Sequence, residues 1–227
     1  MIIKKIDSII KKNIKYIILF ILVVLLLAIV EDVFENEIMQ IDVLAYDLFV
    51  STLRNDLLTI FMIFITNLGS PIVLIAICIL FLIIIKNKKM AASISLNLIL
   101  ITLLNILLKN IVQRPRPIDY RLIEEVGYSF PSGHSMISMA FYGFIIFLIF
   151  RYGKNKNKVF WEVLLGIIIF LIGISRIYLG VHYASDVVAG FLIAIFYLFV
   201  YITVILKINN HLILKNKHLA RNKRKNS

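Results

Sequence analysis

The sequence predicts an all-α, polytopic integral membrane protein in which a single domain, residues 1–227, forms a bundle of six transmembrane helices. Two observations favour this fold class. Hydrophobic residues make up 61% of the 227 residues and charged residues only 17%, whereas a soluble domain is about half apolar and about a quarter charged. The apolar residues also form runs of about 15 to 20, close to the length with which an α-helix crosses a bilayer. Because backbone groups cannot remain unpaired in lipid, and the runs lack the alternation of barrel strands, these spans are predicted to be helices.

Six apolar segments are the predicted spans. In chain order they are Tyr16–Val30, Pro71–Ile85, Met90–Leu108, Ser135–Phe150, Val159–Ile174 and Val187–Leu206. Several are shorter than the ~20 residues that cross ~30 Å of hydrocarbon, so we expect flanking residues to extend them. A further apolar stretch, Leu57–Leu68, is followed by Gly69, Ser70 and Pro71. It is either a helix at the outer face or the kinked first part of the second span.

The distribution of charge predicts the orientation, because Lys and Arg are enriched in cytoplasmic loops. With the N-terminus inside, 19 of the 25 Lys and Arg lie in inner segments, and 11 of the 13 Asp and Glu lie outside. A multi-pass protein of the cell (plasma) membrane with both termini cytoplasmic is therefore predicted. The first span is interpreted as a retained anchor, because Leu27–Glu31 lacks the small-x-small pattern of a signal-peptide cleavage site.

The same distribution explains the net charge of +12 without a nucleic-acid partner, and none is expected. The cytoplasmic N-terminal segment, residues 1–15, can form a short amphipathic helix on the anionic inner leaflet, or it simply provides flanking positive charge. The basic cytoplasmic tail, residues 207–227, is interpreted as flanking charge. The single cysteine, Cys78, lies inside an apolar run, which excludes a disulfide framework and a cysteine-based metal site.

Polar residues that the orientation does not explain form three clusters beside predicted span ends, all on the outer side. They are Lys109 and Arg116 after the third span, Ser132, Gly133 and His134 before the fourth, and Arg176, His182 and Asp186 between the fifth and sixth. Three cations can converge on one polyanion, and Arg offers bidentate pairing with phosphate oxygens. Backbone N–H groups at the helix start after Ser132 can also bind an oxyanion, and Gly133 lets the backbone approach closely.

The histidines supply reactive groups beside this anion site. His182 and Asp186 are spaced i, i+4, so the carboxylate can accept the proton of one imidazole nitrogen and leave the other as a nucleophile. His134 is then available as a general acid for the leaving oxygen. Together these residues are suited to phosphoryl transfer through a phosphohistidine. The remaining outer cations, Arg54, Arg114 and Arg121, and the acidic segment Glu31–Asp56 are interpreted as interfacial or loop residues without a chemical role.

The three clusters resemble the tripartite signature of the type 2 phosphatidic acid phosphatase (PAP2) superfamily, in its bacterial membrane lipid phosphatase branch. The matching residues are Lys109-x6-Arg116-Pro117, Pro131-Ser132-Gly133-His134 and Ser175-Arg176-x5-His182-x3-Asp186. The resemblance implies a nucleophile at His182, its partner at Asp186 and the leaving-group acid at His134. It also implies phosphate binding by Lys109, Arg116, Ser132, Gly133 and Arg176, and it implies neither a metal nor a cofactor.

The expected activity is therefore that of a metal-independent lipid phosphatase with its active site on the extracytoplasmic face. Its substrate is a phosphorylated membrane lipid of the bilayer: undecaprenyl pyrophosphate, phosphatidylglycerophosphate or phosphatidic acid. We expect substrate specificity to depend on Arg114, Ile118–Gly127 and Glu31–Asn67. The alternatives are an intramembrane Ser/His/Asp hydrolase built on Ser132, a zinc site at the two histidines and Asp186, and a non-catalytic lipid-binding or transport protein.

Overall fold

The computed structural model describes residues 2–35, 38–154 and 156–225. These residues form eight α-helices and one π-helical turn: α1 (Ile2–Phe34), α2 (Gln40–Tyr46), the π-helical turn (Asp47–Thr52), α3 (Asp56–Leu68), α4 (Pro71–Ile84), α5 (Lys88–Val112), α6 (Gly133–Tyr152), α7 (Lys158–Tyr178) and α8 (Ala184–Lys225). No strand occurs in the described ranges, which confirms the all-α class. The side chains on which the predictions for residues 1–15 and 207–227 depend lie almost entirely outside the described residues.

Polar residues at the predicted breaks determine where several helices begin and end. The side chains of Asn55, Ser70 and Asn87 each accept a hydrogen bond from a backbone N–H in the first turn of α3, α4 and α5. Such caps satisfy donors that have no partner within the helix. Pro71 follows at the first position of α4, where its missing N–H costs nothing. At the other end of α5, Gln113 adopts a left-handed conformation (φ 53°) and ends the helix.

Five of the helices are long and apolar enough to cross a membrane. They are α1, α5, α6, α7 and the first part of α8, up to Ile208. The pair α3 and α4 passes the same test only jointly, with a bend of 47° between the two helices. At ~1.5 Å per residue, the 14 residues of α4 extend about 21 Å and do not cross the hydrocarbon alone. By length and composition, the described residues therefore contain five candidate spans, or six if the bent pair is one span.

Helix α6 lies at the centre of the bundle, where it packs against α5, α7 and α8. Its Phe141 and Phe144 are fully buried with Ile172 of α7. Ala140 of α6 and Ala194 of α8 are also fully buried, and small residues of this kind allow helix backbones to approach closely in membranes. Large apolar side chains along α1, α4 and α5 point outward, as a lipid-facing surface requires.

The three polar clusters meet at one end of this bundle. The end of α5 and the loop after it, the start of α6, the end of α7 and the start of α8 all lie there. The Ser132 N–H donates to the carbonyl of Asp186 at 3.1 Å, which joins the starts of α6 and α8. Arg54, just before α3, donates two hydrogen bonds to the carbonyl of Tyr178, the last residue of α7. Helix α2 reaches the same end, because Asp42 accepts a hydrogen bond from the Ser185 N–H at 2.8 Å.

Candidate active site

The turn between α7 and α8 carries His182, and Gly180 makes that turn possible. Gly180 has a φ of +72°, a conformation that costs glycine little and other residues more. A Cβ atom at this position would lie 2.7 Å from the carbonyl oxygen of Tyr120. After the turn, the Val181 N–H donates to the Arg176 carbonyl at 3.2 Å. The backbone therefore places His182 beside the first residues of α8.

The two ring nitrogens of His182 face different partners. Nδ1 lies 3.3 Å from Oδ2 of Asp186 and 3.3 Å from the hydroxyl of Ser129. Nε2 lies 3.0 Å from a terminal nitrogen of Arg116. A guanidinium can only donate, so Nε2 must accept and the ring proton must be on Nδ1. This tautomer directs the proton towards Asp186 and places the lone pair on Nε2, where it accepts the hydrogen bond from Arg116.

The surroundings of His182 keep its imidazole neutral. Burial lowers the pKa of His182 to about 4, and the charges of Arg176 and Arg116 act in the same direction. The hydrogen bond and the charge of Asp186 oppose this shift but do not cancel it. An imidazole with this pKa carries no proton on Nε2 at neutral pH, which is the state required of a nitrogen nucleophile.

The carboxylate of Asp186 is fully buried, and each of its oxygens has a donor. Oδ1 accepts from Arg114 at 2.7 Å. Oδ2 accepts from the Tyr183 N–H at 2.9 Å, from the Ser129 hydroxyl and from His182. Such a set of donors fixes the orientation of the carboxylate and stabilises its charge in the interior.

Three cations lie at this end of the bundle, and backbone carbonyls fix the position of the first of them, Arg116. Arg116 is buried, and its guanidinium donates to the carbonyls of Gly127 at 3.0 Å, Val181 at 3.0 Å and Val126 at 3.2 Å. These three carbonyls lie on two different loops. The plane of the guanidinium is therefore fixed relative to the His182 ring.

The other two cations come from the ends of α5 and α7. The Lys109 ammonium donates to the carbonyl of Tyr128 and, at 3.3 Å, to that of Ser129. Arg176 is 1% exposed and donates to the Thr66 hydroxyl at 2.7 Å and to Glu125. Its Nε is buried and has no partner among the described residues. A buried guanidinium with an unused donor is suited to an additional anion.

An anionic side chain already contacts this cluster. The carboxylate of Glu125 forms a salt bridge with Arg176 and lies 3.7 Å from Arg116. It thus contacts two of the three cations and leaves the cluster with excess positive charge. The sequence does not single out Glu125, because one acidic residue in a polar loop forms no recognisable pattern.

A cavity of about 300 Å³ adjoins the cluster. Its polar lining includes Lys109, Arg116, Glu125, Gly133, His134 and His182, and its apolar lining includes Pro71, Leu74, Ile75, Leu98 and Ile137. Along α5, Leu98 precedes Lys109 by 11 residues, which corresponds to about 16 Å. The cavity therefore extends from the charged end of the bundle to the level of apolar side chains in α4, α5 and α6.

The residues at the start of α6 occupy different positions relative to this cavity. Ser132 is fully buried, and its hydroxyl pairs with that of Ser135 at 2.9 Å. Gly133 lines the cavity, and a Cβ there would come within 3.0 Å of the Asn105 side-chain oxygen. His134 lines the cavity, and its ring makes no hydrogen bond to a described residue. Lys109, Arg116, Gly133, His134 and His182 therefore share one cavity, whereas Ser132, Arg176 and Asp186 are not among its lining residues. Arg176 is connected to the cavity through its salt bridge with Glu125, which lines it.

Two alternative chemistries receive no support from this geometry. A Ser/His/Asp hydrolase needs its serine hydroxyl hydrogen-bonded to a histidine, but the Ser132 hydroxyl pairs with Ser135. A zinc site needs several convergent ligands. Within residues 2–35, 38–154 and 156–225, no group of three or more His, Cys, Asp or Glu is arranged to hold a metal ion.

The structure corrects the interpretation of Arg114, and of Asp42 within the acidic segment Glu31–Asp56, as interfacial or loop residues. Arg114 is buried and forms salt bridges with both Asp42 and Asp186. Asp42, from that acidic segment, is buried as well. Both residues look like ordinary surface charges in the sequence, because their partners lie 72 residues away along the chain. Arg114 does not line the 300 Å³ cavity, and its contribution to substrate specificity stays a prediction.

Comparison with known proteins identifies the family of this chain. The family model for the PAP2 superfamily matches residues 90–210. The chain is 42% identical to phosphatidylglycerophosphatase B of Bacillus subtilis over 93 residues, which are 39% of this chain and 45% of the relative. It is 30% identical to undecaprenyl-diphosphatase of Sulfolobus acidocaldarius over 139 residues, which are 58% of this chain and 63% of the relative. The alignments therefore span about half of these curated relatives' lengths.

A solved structure extends the similarity over nearly the whole fold. The crystal structure of a transmembrane PAP2-type phosphatidylglycerolphosphate phosphatase from Bacillus subtilis superimposes with a TM-score of 0.74 at 30% sequence identity. The match covers 84% of this chain and 96% of that one. The family match covers more than half of the 227 residues. The chain is therefore a multi-pass membrane protein that belongs to the PAP2 superfamily.

Proposed function

We propose that this chain is a phosphatase that hydrolyses a phosphate monoester or diphosphate of a membrane lipid through a phosphohistidine at His182. The observation that carries the proposal is the position of His182. Its Nδ1 faces the buried carboxylate of Asp186, and its Nε2 faces Arg116 and a cation-lined cavity. A neutral imidazole held in this tautomer, beside groups that bind phosphate, is what phosphoryl transfer to nitrogen requires.

Binding begins when the phosphoryl group enters the cation cluster. Its oxygens take the place of the Glu125 carboxylate between Arg176 and Arg116, and the free Nε–H of Arg176 supplies a further donor. The Lys109 ammonium and the N–H groups at the start of α6 complete the anion site, as expected for a helix N-terminus. The protein holds these donors in position before the reaction begins, and they stabilise the charge of the transition state.

The reaction proceeds in two displacements. The Arg116 N–H that donates to Nε2 turns to a phosphoryl oxygen, which frees the lone pair of Nε2. Nε2 of His182 attacks phosphorus, a P–N bond forms, and the P–O bond to the lipid breaks while His134 donates a proton to the departing oxygen. Asp186 stabilises the imidazolium character that develops on His182. A water molecule then gives a proton to His134 and attacks the phosphohistidine; the P–N bond breaks, and inorganic phosphate leaves. The Ser132 hydroxyl is buried and pairs with that of Ser135 in α6, so it would have to leave this partner to bind the phosphate.

A lipid substrate is supported by the shape of the cavity. Its charged lining can hold a phosphorylated headgroup, while the apolar lining between α4, α5 and α6 can accommodate the beginning of an acyl or isoprenoid chain. Phosphatidylglycerophosphate and undecaprenyl pyrophosphate are supported as substrates by the names of two relatives, and phosphatidic acid is the third candidate. The proposed location of the site is the extracytoplasmic face, supported by the 19 of 25 cations that this orientation assigns to the cytoplasmic side.

The proposal is tested by phosphate release from the purified protein in lipid vesicles. Each of the three lipids is supplied separately, with and without a chelator of divalent metals. We expect turnover of at least one lipid that persists in the chelator, and its loss in His182→Ala at unchanged protein abundance. His211→Ala, in the basic tail, is the matched control and should retain turnover. Full activity of His182→Ala would refute the mechanism, and loss of activity in the chelator would refute metal independence.

A further inference from the structure

A chain of buried charges extends behind Asp186, away from the cavity. Arg114 donates to Oδ1 of Asp186 at 2.7 Å from one terminal nitrogen and to Oδ2 of Asp42 at 3.2 Å from the other. The side chains of all three residues are at most 5% exposed. One guanidinium therefore bridges two buried carboxylates, of which one contacts His182.

Further contacts hold this bridge in place. Asp42 accepts from the Ser185 N–H at 2.8 Å and from the Ser185 hydroxyl at 2.9 Å, and that hydroxyl lies 2.8 Å from Arg114. The guanidinium also lies 4.2 Å from the centroid of the Tyr183 ring, within cation–π distance. Asp42, Arg114 and Asp186 are thus tied to the residues that flank the start of α8.

The orientation of Asp186 depends on this arrangement for a physical reason. A buried carboxylate needs a compensating charge as well as hydrogen bonds. Arg116, the other arginine near the carboxylate, donates to three carbonyls and to His182. Arg114 is thus the guanidinium that contacts Asp186 in the described part of the chain, and it leaves the second oxygen free to face the imidazole.

We infer that Arg114 and Asp42 are positioning residues for the reaction: Asp42 orients Arg114, and Arg114 orients Asp186 and, through it, the imidazole of His182. This inference rests on the proposed function of His182. It also assigns a role to α2, which carries Asp42 to the site from a different part of the chain. Arg114 differs in this respect from Arg116, although the two residues are only two positions apart in the sequence.

Because Arg114 lies behind the cavity, its role separates turnover from binding. Arg114 does not line the cavity, whereas Arg116 does. Removal of Arg114 should therefore lower kcat and leave the affinity for phosphate analogues unchanged. Removal of Arg116 should weaken that affinity as well.

The experiment compares Arg114→Met, Arg114→Lys and Asp42→Asn in vesicles, with kcat, KM and the inhibition constant of orthovanadate as readouts. Arg114→Met removes the charged hydrogen bond from Arg114 to Asp186. We expect this loss to lower kcat about 10- to 100-fold. KM and the orthovanadate constant should remain within about threefold. Arg114→Lys keeps the positive charge but cannot bridge two carboxylates as a guanidinium does, so its kcat should lie between those of Arg114→Met and the wild type. Asp42→Asn should give a smaller loss than Arg114→Met.

Two further variants make the outcome decisive. Arg54→Met removes a guanidinium that, among the described residues, donates to the Tyr178 carbonyl and lies near the Tyr178 ring, and it should retain kcat. Arg116→Met should raise the orthovanadate constant. An Arg114→Met protein with wild-type kcat, or with an orthovanadate constant raised as much as in Arg116→Met, would overturn the inference. If Arg114→Met does not fold, as judged by its thermal transition, the test uses Asp42→Asn and Arg114→Lys instead. Wild-type kcat in both of these variants would overturn the inference. Failure of this inference would leave the proposed function unaffected, because His182→Ala tests that function separately.

Discussion

Replacement of Asp186 by asparagine is a demanding test of the tautomer assigned to His182, because it changes charge and hydrogen bonding at nearly constant volume. All the groups that contact the Asp186 carboxylate are donors: Arg114, the Tyr183 N–H, the Ser129 hydroxyl and His182 Nδ1. An asparagine must direct its NH2 group at one side of this set. On the Oδ1 side the NH2 group opposes the guanidinium of Arg114.

On the Oδ2 side, the NH2 group faces Nδ1 and favours the other tautomer of His182. The ring proton then moves to Nε2, where it meets a donor of Arg116 at a separation of 3.0 Å. In either arrangement the nucleophile is misplaced or protonated. The corresponding change in a Ser-His-Asp triad lowers kcat by about 10⁴-fold, so we expect a loss of about 10³- to 10⁴-fold here. That loss equals about 4 to 5.5 kcal/mol of transition-state stabilisation.

The assay is phosphate release in vesicles, with kcat and the orthovanadate inhibition constant measured on the same preparation. Because Asp186 does not line the cavity, orthovanadate should still bind within about threefold of the wild type. Asp47→Asn, at an exposed carboxylate of the π-helical turn, is the control and should leave kcat unchanged. An Asp186→Asn protein that retains kcat within tenfold of the wild type would refute the assigned tautomer.

Two other predictions concern protonation and the turn that carries the nucleophile. Burial lowers the pKa of His182 to about 4 from 6.5. Its ring should therefore remain neutral from neutral pH down to about pH 5 and become protonated only as the pH falls through 4. The imidazole ¹⁵N shifts of His182, assigned by comparison with His182→Ala, measure this titration, and a midpoint near pH 6.5 would contradict the prediction. Gly180→Ala should destabilise the protein by at least about 1 kcal/mol in a detergent thermal melt, because it combines a positive φ with a blocked Cβ position. Gly166→Ala is its control, since a Cβ there meets no atom within 4 Å; equal melting temperatures for the two variants would contradict the role of the turn.

Hydropathy and the three polar clusters predicted most of what defines the bundle. Predicted spans such as Met90–Leu108 and Ser135–Phe150 lie within α5 and α6, because a long apolar run in a membrane protein has few alternatives to a helix. The sequence allows two interpretations of the apolar stretch Leu57–Leu68: a helix at the outer face or the kinked first part of the second span. In the structure this stretch forms α3, which is bent by 47° against α4. The angle could not be predicted, because it depends on how α3 packs against α7.

The site residues that could not be identified from the sequence contact partners that are distant along the chain. Arg114 and Asp42 are charged residues in polar segments, and only folding brings them to Asp186. Glu125 contacts Arg176 across 51 residues. Ser129 stands next to the second cluster, but its bond to Asp186 spans 57 residues. Periodicity and spacing report local structure, so they could not identify these partners.

The central claim, a covalent phosphohistidine at His182, is tested most directly by trapping the intermediate. The purified protein is mixed with lipid substrate labelled in its terminal phosphate, quenched within milliseconds and digested under alkaline conditions, which preserve phosphohistidine. Mass spectrometry should locate the phosphoryl group on the peptide that contains His182, and the label should be absent from His182→Ala. Phosphoryl label on another residue, or rapid turnover without label on any residue, would contradict the mechanism.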